Sequence, residues 1–203
     1  MQLSQAIRSE SCAAPKLILF SGHAGTGKST LAKRALPLII QRSGQSCFFL
    51  DKDTAYGAFS TQIMKLSTGN GNDRDSSFYL ENLRDHEYIG LLAIARENLR
   101  LGVSVVLVGP FTKELQSGLF FDTTSLDIPT STKIRIAWIE LNAHEAKKRI
   151  ILRDDKRDQW KLAHWDKYLA RRIAPPEHPS IQIFDNTSFN EADFASLVDH
   201  LIS

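Results

Sequence analysis

Residues 16–31, from Lys16 to Leu31, read KLILFSGHAGTGKSTL, and the way this stretch divides points to the architecture of the whole chain. The apolar run Leu17 to Phe20 has the character of a buried strand; it stops at a glycine-rich turn, and the turn opens into a run that can be helical. Gly22, Gly27, Lys28 and Ser29 satisfy G-x-x-x-x-G-K-S/T in the strand-to-helix setting that this motif requires. The spacing has a chemical reason. Gly22, Gly25 and Gly27 admit backbone conformations closed to residues with a Cβ, so the N–H groups of His23, Ala24, Gly25, Thr26 and Gly27 can turn inward around a phosphate. The helix starting near Gly27 adds its positive end, Lys28 can reach the β- and γ-phosphates, and Ser29, or Thr30 beside it, can place a hydroxyl on Mg²⁺. The competing reading is a plain glycine turn followed by an exposed lysine; the apolar run before it and the helical run after it weigh against that.

The rest of the composition is compatible with one domain. The chain has 203 residues, 42% hydrophobic and 24% charged, enough for a core that stands without staples. A formal charge of +2 is too small to imply a nucleic-acid coat or a membrane surface, and it leaves room for a local basic patch. Cys12 and Cys47 are too few and too far apart for a disulfide framework or a zinc site, which suits a cytoplasmic setting. No apolar run approaches the ~20 residues of a membrane span. Residues 1–15 lack the apolar centre of a signal peptide and read as a loose tail before a domain of residues 16–203.

Beyond the loop, Leu31, Ala32, Ala35, Leu36 and Ile39 give a helical face ended by Gly44, with Pro37 expected to kink or shorten it. Residues 46–50 read as a second buried strand running into Asp51, Lys52 and Asp53. Residues 69–73, GNGND, mark a turn. Apolar positions from Leu80 to Leu99 recur at helical spacing, predicting one long helix from Ser76 to Leu101. Residues 103–108 and 134–141 are the third and fourth strands. Asn142 caps a helix that runs into the charged stretch Arg153 to Arg157, a second helix spans Trp160 to Arg172, and residues 181–184 form a fifth strand. Ser188 and Glu191 read as a capping box for a last helix. Strands apolar throughout and separated by helices imply a parallel sheet covered on both faces, with ligands at the carboxyl ends of the strands.

Polar residues of interest gather at those ends. Asp51 and Asp53 follow the second strand, where a carboxylate can accept a proton from an acceptor hydroxyl or support Mg²⁺. Asp53 is assigned as base and Asp51 as metal or loop support; the alternative has Asp53 capping a helix that starts at Thr54. Arg149, Arg153 and Arg157 recur every four residues and would share one helical face. Arg153 and Arg157 are taken as the groups that stabilise a transferring phosphoryl from a closing lid, against the alternative of a solvated face neutralised by Asp154, Asp155 and Asp158. Arg74 and Arg84 are candidates for holding an anionic acceptor, or are surface arginines. Trp160, Trp165 and Tyr168 either wall an acceptor pocket or belong to the core. The third strand ends at Val108 and Gly109 without the acid that often holds Mg²⁺ there.

GHAGTGKST, LDKD at residues 50–53 and the arginine series at 149–157 together resemble the small-molecule kinases of the P-loop superfamily, a group that includes gluconate kinase, adenylylsulfate kinase, chloramphenicol phosphotransferase and the zeta toxins. The resemblance implies a three-layer α/β P-loop NTPase fold, with a five-stranded parallel sheet in the order 2-3-1-4-5, helices on both faces and a helical lid at about residues 153–172. It also implies ATP and Mg²⁺, with transfer of the γ-phosphate to a hydroxyl of a small metabolite. LDKD is similar to the LDGD of sugar and adenylylsulfate kinases, in which the second acid lies at the acceptor hydroxyl, and this carries over to Asp53. By position, Asp185 and Asn186 fall where relatives place an adenine-contacting loop, and Tyr56, in the TAYG that replaces the acceptor motif of gluconate kinase, falls on the acceptor side. A nucleotide-dependent switch acting through a partner and a nucleic-acid 5′-end kinase are the alternative functions.

Overall fold

The computed structural model describes residues 13–203. Most of the expected tail, with Cys12, lies outside the described residues. Of its last residues, the Pro15 carbonyl accepts a hydrogen bond from the Lys133 N–H at 3.0 Å.

In chain order the elements are β1 (Lys16–Ser21), α1 (Lys28–Ser43), β2 (Cys47–Asp51), α2 (Lys52–Thr68), α3 (Ser77–Asn82), α4 (Arg84–Arg100), β3 (Ser104–Val108), α5 (Thr112–Gln116), α6 (Thr123–Leu126), β4 (Lys133–Glu140), α7 (Ala143–Arg153), α8 (Gln159–Ala163), α9 (Trp165–Ala170), β5 (Ile181–Asp185) and α10 (Glu191–Ile202). Short 3₁₀ turns lie at Leu119–Phe121 and Lys156–Asp158. The five strands form one parallel sheet in the order β2-β3-β1-β4-β5, as the resemblance implied.

Alternation along β1 sorts the core into two layers. Leu17 and Leu19 face one layer with Leu91, Ala95, Leu99, Phe111 and Phe120, supplied chiefly by α4 and the segment after β3. Ile18 and Phe20 face the other with Leu31, Ala35, Phe194 and Leu197, supplied by α1 and α10. Because β1 is central, no residue of it from Leu17 to Phe20 is more than 1% exposed. A third, smaller cluster of Met64, Tyr79 and Leu83 joins α2 to α3.

Register places the site. Asp51 is level with Val108, and Val108 with Phe20. The glycine loop, residues 52–54 and residues 109–112 therefore leave the sheet along the same edge.

Several local expectations are corrected. The helix expected from Ser76 to Leu101 is broken at Leu83 (φ −126°, ψ −42°) into α3 and α4. Tyr79 and Leu83 pack on Met64 while Tyr88 and Leu91 pack on the sheet, and a straight helix cannot direct one stripe at both. The helix expected from Trp160 to Arg172 is likewise split at His164 into α8 and α9. Pro37 neither ends nor shortens α1, because it lies on the exposed side of the helix. The cap of α10 is Asn190, whose side chain accepts from the N–H groups of Ala192 and Asp193, in place of Ser188. The helix starts at Glu191, so that glutamate is in its first position and not the third that a capping box needs.

Candidate active site

A cleft of about 620 Å³ opens at the carboxyl edge of the sheet. The glycine loop forms its floor. Gly22, Gly25 and Gly27 have φ of +131°, +81° and +92°. Each is also hemmed in: a Cβ would stand 2.4 Å from the Ile139 carbonyl at Gly22, 2.9 Å from Ile150 Cγ1 at Gly25 and 2.7 Å from Asn186 Nδ2 at Gly27. The loop is thus moulded against β4, α7 and the end of β5 as well as bent inward.

Lys28 Nζ donates to the His23 carbonyl at 2.7 Å, folding back over its own loop. Burial lowers its pKa to about 8, with Asp53 and Asp51 acting in the opposite direction. Ser29 Oγ donates to Asp51 Oδ2 at 2.5 Å, whereas Thr30 is exposed. Asp51 Oδ1 accepts from the N–H groups of Asp53 (2.9 Å) and Thr54 (3.2 Å). Asp51, and not Asp53, is therefore the cap of α2, which leaves the Asp53 carboxylate to the cleft.

Asp53 stands between two cations, with Lys52 Nζ 3.1 Å from Oδ1 and Arg157 Nη1 3.3 Å from Oδ2. Burial raises its pKa, but Lys52 and Arg157 outweigh burial and hold the carboxyl below its usual range. Lys52 is itself fixed from below: it donates to Glu87 Oε2 at 2.7 Å and to the Tyr79 hydroxyl at 3.3 Å. Glu87, only 3% exposed, also accepts from the hydroxyls of Tyr79 and Ser60 and from Arg74. Sequence reading missed Lys52 and Glu87. The signal available was an acid on the apolar stripe of a helix, four residues after Leu83 and four before Leu91, together with a lysine between two acids at the end of a buried strand.

The three arginines all line the cleft, though not from one helix. Arg149 and Arg153 are on α7, which ends where Asp154 takes φ +49°, and Arg157 is on the following 3₁₀ turn. Each is engaged: Arg149 donates to the Asn186 carbonyl at 2.9 Å, Arg153 pairs with Asp158 and Arg157 with Asp155 at 2.6 Å. Of the interleaved aspartates, Asp158 and Asp155 do pair with these arginines, and Asp158 does so as part of the cleft wall, whereas Asp154 is exposed.

The segment after Arg153 lies against both sides of the cleft. Tyr168 donates its hydroxyl to the Ala24 carbonyl at 2.8 Å, and His23 Nε2 lies 3.0 Å from the backbone of Ile173. Lys161 and Arg171 pair with Asp75 at 3.1 and 2.8 Å. Trp160 stacks on His164, with the Arg171 guanidinium 4.4 Å from its ring centre.

Arg74 and Arg84 reach the cleft already anchored. Arg74 donates to the Gly57 carbonyl and to Thr61; Arg84 grips Glu114 at 2.8 and 3.2 Å above the Tyr88 ring. Asn186 is buried at the cleft, with its amide donating to the Thr26 carbonyl at 2.8 Å. Within the loop, Gly22, His23 and Thr26 do not line the cleft, and outside the loop two of the residues assigned from sequence are not brought there. Tyr56 packs over Gly90, where a Cβ would fall 2.0 Å from its hydroxyl, and Asp185 is exposed, turning back to the Thr187 N–H at 2.8 Å.

No group of three or more His, Cys, Asp and Glu among the described residues could hold a metal ion by itself. Ser29 Oγ and Asp51 Oδ2 are a pair of hard oxygen donors, and such a pair suits Mg²⁺, which takes few protein ligands and completes its shell with phosphate and water.

Among the solved structures that share this fold are the following three. A protein of Chloroflexus aurantiacus has 20% identity and a TM-score of 0.62 over 93% of this chain and 99% of its own. Kti12 of Chaetomium thermophilum, solved with ADP-AlF3, has 14% identity and a TM-score of 0.62 over 93% and 100%. The APS kinase of Mycobacterium tuberculosis, solved with AMPPNP and APS, has 14% identity and a TM-score of 0.56 over 94% and 99%. No curated protein matches the chain. Residues 17–175 match the AAA domain family, and with that match, a P-loop at the first strand-to-helix turn and a 2-3-1-4-5 parallel sheet, the chain belongs to this family and has the P-loop NTPase fold.

Proposed function

We propose that the protein is an ATP- and Mg²⁺-dependent phosphotransferase that moves the γ-phosphoryl group to a hydroxyl of a small molecule. The observation that carries this reading is the place of Asp53. It comes from a different strand than the loop, shares the cleft with Lys28 and Ser29, and is freed from capping duty by Asp51. A site built only to grip phosphates has no use for a second carboxylate beyond the one beside Ser29.

In this reading the loop N–H groups and Lys28 bind the phosphates, Lys28 exchanging the His23 carbonyl for phosphate oxygens. Ser29 and Asp51 would hold Mg²⁺, which when bound neutralises charge on the β- and γ-oxygens. Asp53 accepts a hydrogen bond from the acceptor hydroxyl and orients it. Its low pKa suits that task, because a loose transition state asks little proton removal of the base before the bond to phosphorus forms. Arg153 and Arg157 offer guanidinium forks to the charge on the equatorial oxygens. Arg157 must let go of Asp53 when an acceptor enters, which makes the segment that carries it the natural lid. Arg74 and Arg84 face the acceptor end. A fold neighbour solved with both a nucleotide analogue and a second small molecule, the APS kinase, is in keeping with a two-substrate cleft.

The test is incubation with γ-labelled ATP and a panel of sugars, nucleosides, antibiotics and oligonucleotides. Label on a small hydroxylated compound is expected. Label only in free phosphate would favour a nucleotide-dependent switch, and label on oligonucleotide ends a nucleic-acid kinase. Asp53→Asn should abolish transfer with ATP affinity changed no more than a few-fold; equal loss of both would mean that Asp53 does not orient the acceptor.

A further inference from the structure

We infer that Lys52 is a positioning residue for the transfer step: its ammonium, anchored in the buried Glu87–Tyr79 floor, holds one oxygen of Asp53 so that the other is presented to the acceptor. This rests on the phosphotransferase reading and assigns to Asp53 the support it needs.

The geometry is that of a tripod. A lysine ammonium has three N–H donors and no acceptor. Lys52 donates to Glu87 Oε2 at 2.7 Å and to the Tyr79 hydroxyl at 3.3 Å, and its Nζ stands 3.1 Å from Asp53 Oδ1 as an ion pair. Two of these partners are buried beneath α2, and the third is the carboxylate at the cleft. A flexible four-carbon side chain is thereby reduced to one position, and the carboxylate with it. Asp53 itself is more than half exposed and, among the described residues, has no other anchor on this side; its second oxygen pairs there with Arg157, a group of the segment above the cleft.

Charge points the same way. Glu87 carries one negative charge into the interior and meets two permanent or near-permanent cations, Lys52 and Arg74, at 2.7 and 3.4 Å. The surplus positive charge has Asp53 as its partner. A buried lysine is costly unless paired and hydrogen-bonded, and a pair made only to stabilise the fold would be complete with Glu87 alone. The side chain instead bridges a fully buried carboxylate and the one at the reaction centre, and it lines the cleft itself.

The experiment compares steady-state transfer by the wild type, Lys52→Met, Lys52→Arg and the double variant Lys52→Met/Glu87→Met, with ATP-analogue affinity and thermal midpoint measured on each. The double variant replaces Lys52 and Glu87 by apolar side chains of similar length, a change that folds tend to tolerate, and Arg74, which loses Glu87, keeps the Gly57 carbonyl and Thr61 as partners, so it carries the test if Lys52→Met fails to fold. In whichever of these folds, kcat is expected to fall by about 10²-fold, the scale of a reacting group misplaced by an ångström, with acceptor KM and ATP affinity within a few-fold of wild type. Lys52→Arg, which keeps the charge and can reach both carboxylates, should recover a substantial part of kcat. A kcat within about twofold of wild type in the folded neutral variants overturns the proposal. So does a parallel loss of acceptor KM, ATP affinity and thermal midpoint with no recovery in Lys52→Arg, the pattern of a purely structural lysine. Absence of transfer by the wild type to any acceptor overturns the phosphotransferase reading and this inference with it, whereas transfer by the wild type with unaffected Lys52 variants removes the inference alone.

Discussion

Lys28 concentrates what the site asks of one side chain. Its ammonium is partly buried against the His23 carbonyl, and this burial brings its pKa to about 8. A lysine whose folded pKa lies below its unfolded value binds fewer protons when folded, so between about pH 8 and the unfolded value of 10.5 this group makes the fold more stable as pH rises. Ligand binding has the opposite sign, because phosphate oxygens bind the charged form. ATP-analogue affinity measured by calorimetry should be flat below about pH 8 and weaken toward tenfold per pH unit above it. Lys28→Arg, which stays charged, should lose that upper limb, and a limb that persists in the arginine variant would assign it to another group. The same residue-level logic explains what sequence could not distinguish at Asp51 and Asp53. Both are acids at a strand end; only the turn geometry hands the cap to Asp51 and leaves Asp53 free.

At the level of elements, α1 shows how context overrides a local rule. Proline lacks the N–H for the turn before it and usually kinks a helix, yet α1 runs unbroken from Lys28 to Ser43, with its face Leu31, Ala32, Ala35 and Ile39 packed on the sheet and Pro37 turned to solvent. Packing of that face outweighs the lost bond. Pro37→Ala should therefore stabilise the protein by about 1–2 kcal/mol: the restored helical bond and removed clash, less the entropy that proline takes from the unfolded chain. Urea unfolding would read this, and a destabilised variant would mean that the ring has a packing role. The split of the expected 76–101 helix has the reverse lesson. Apolar periodicity there is unbroken, but Tyr79 and Leu83 serve the α2 cluster and Leu91 to Leu99 the sheet, and the chain turns at Leu83 to reach both.

Across the whole molecule, the glycine loop and the segment after α7 are joined over long sequence distance. Tyr168 donates to the carbonyl of Ala24, and the His23 ring meets the backbone of Ile173. Tyr168→Phe removes the first contact and should cost about 1 kcal/mol, seen as faster amide hydrogen exchange in α9 with the exchange of β1 and β3 unchanged; slower or unaltered exchange in α9 would show that the hydroxyl does not hold this segment down. Much of the fold is legible in the sequence: the loop motif, because its residue types are forced by backbone geometry and phosphate chemistry, and the strands and helices, because periodicity is local. The placement of Arg149, Arg153 and Arg157 in one cleft is also foreshadowed by their spacing, although they end up on two elements. Tyr56 and Asp185, assigned by position alone, point elsewhere because Gly90 offers a bed for one ring and Thr187 a donor for one carboxylate. The glycine loop and the order of the elements are written in the chain itself, both set by neighbours along it. That Lys52 bridges Glu87 and Asp53, and that His23 meets Ile173, emerges only on folding, since pairings across 35 and 150 residues depend on sheet register and helix packing and leave no periodic trace.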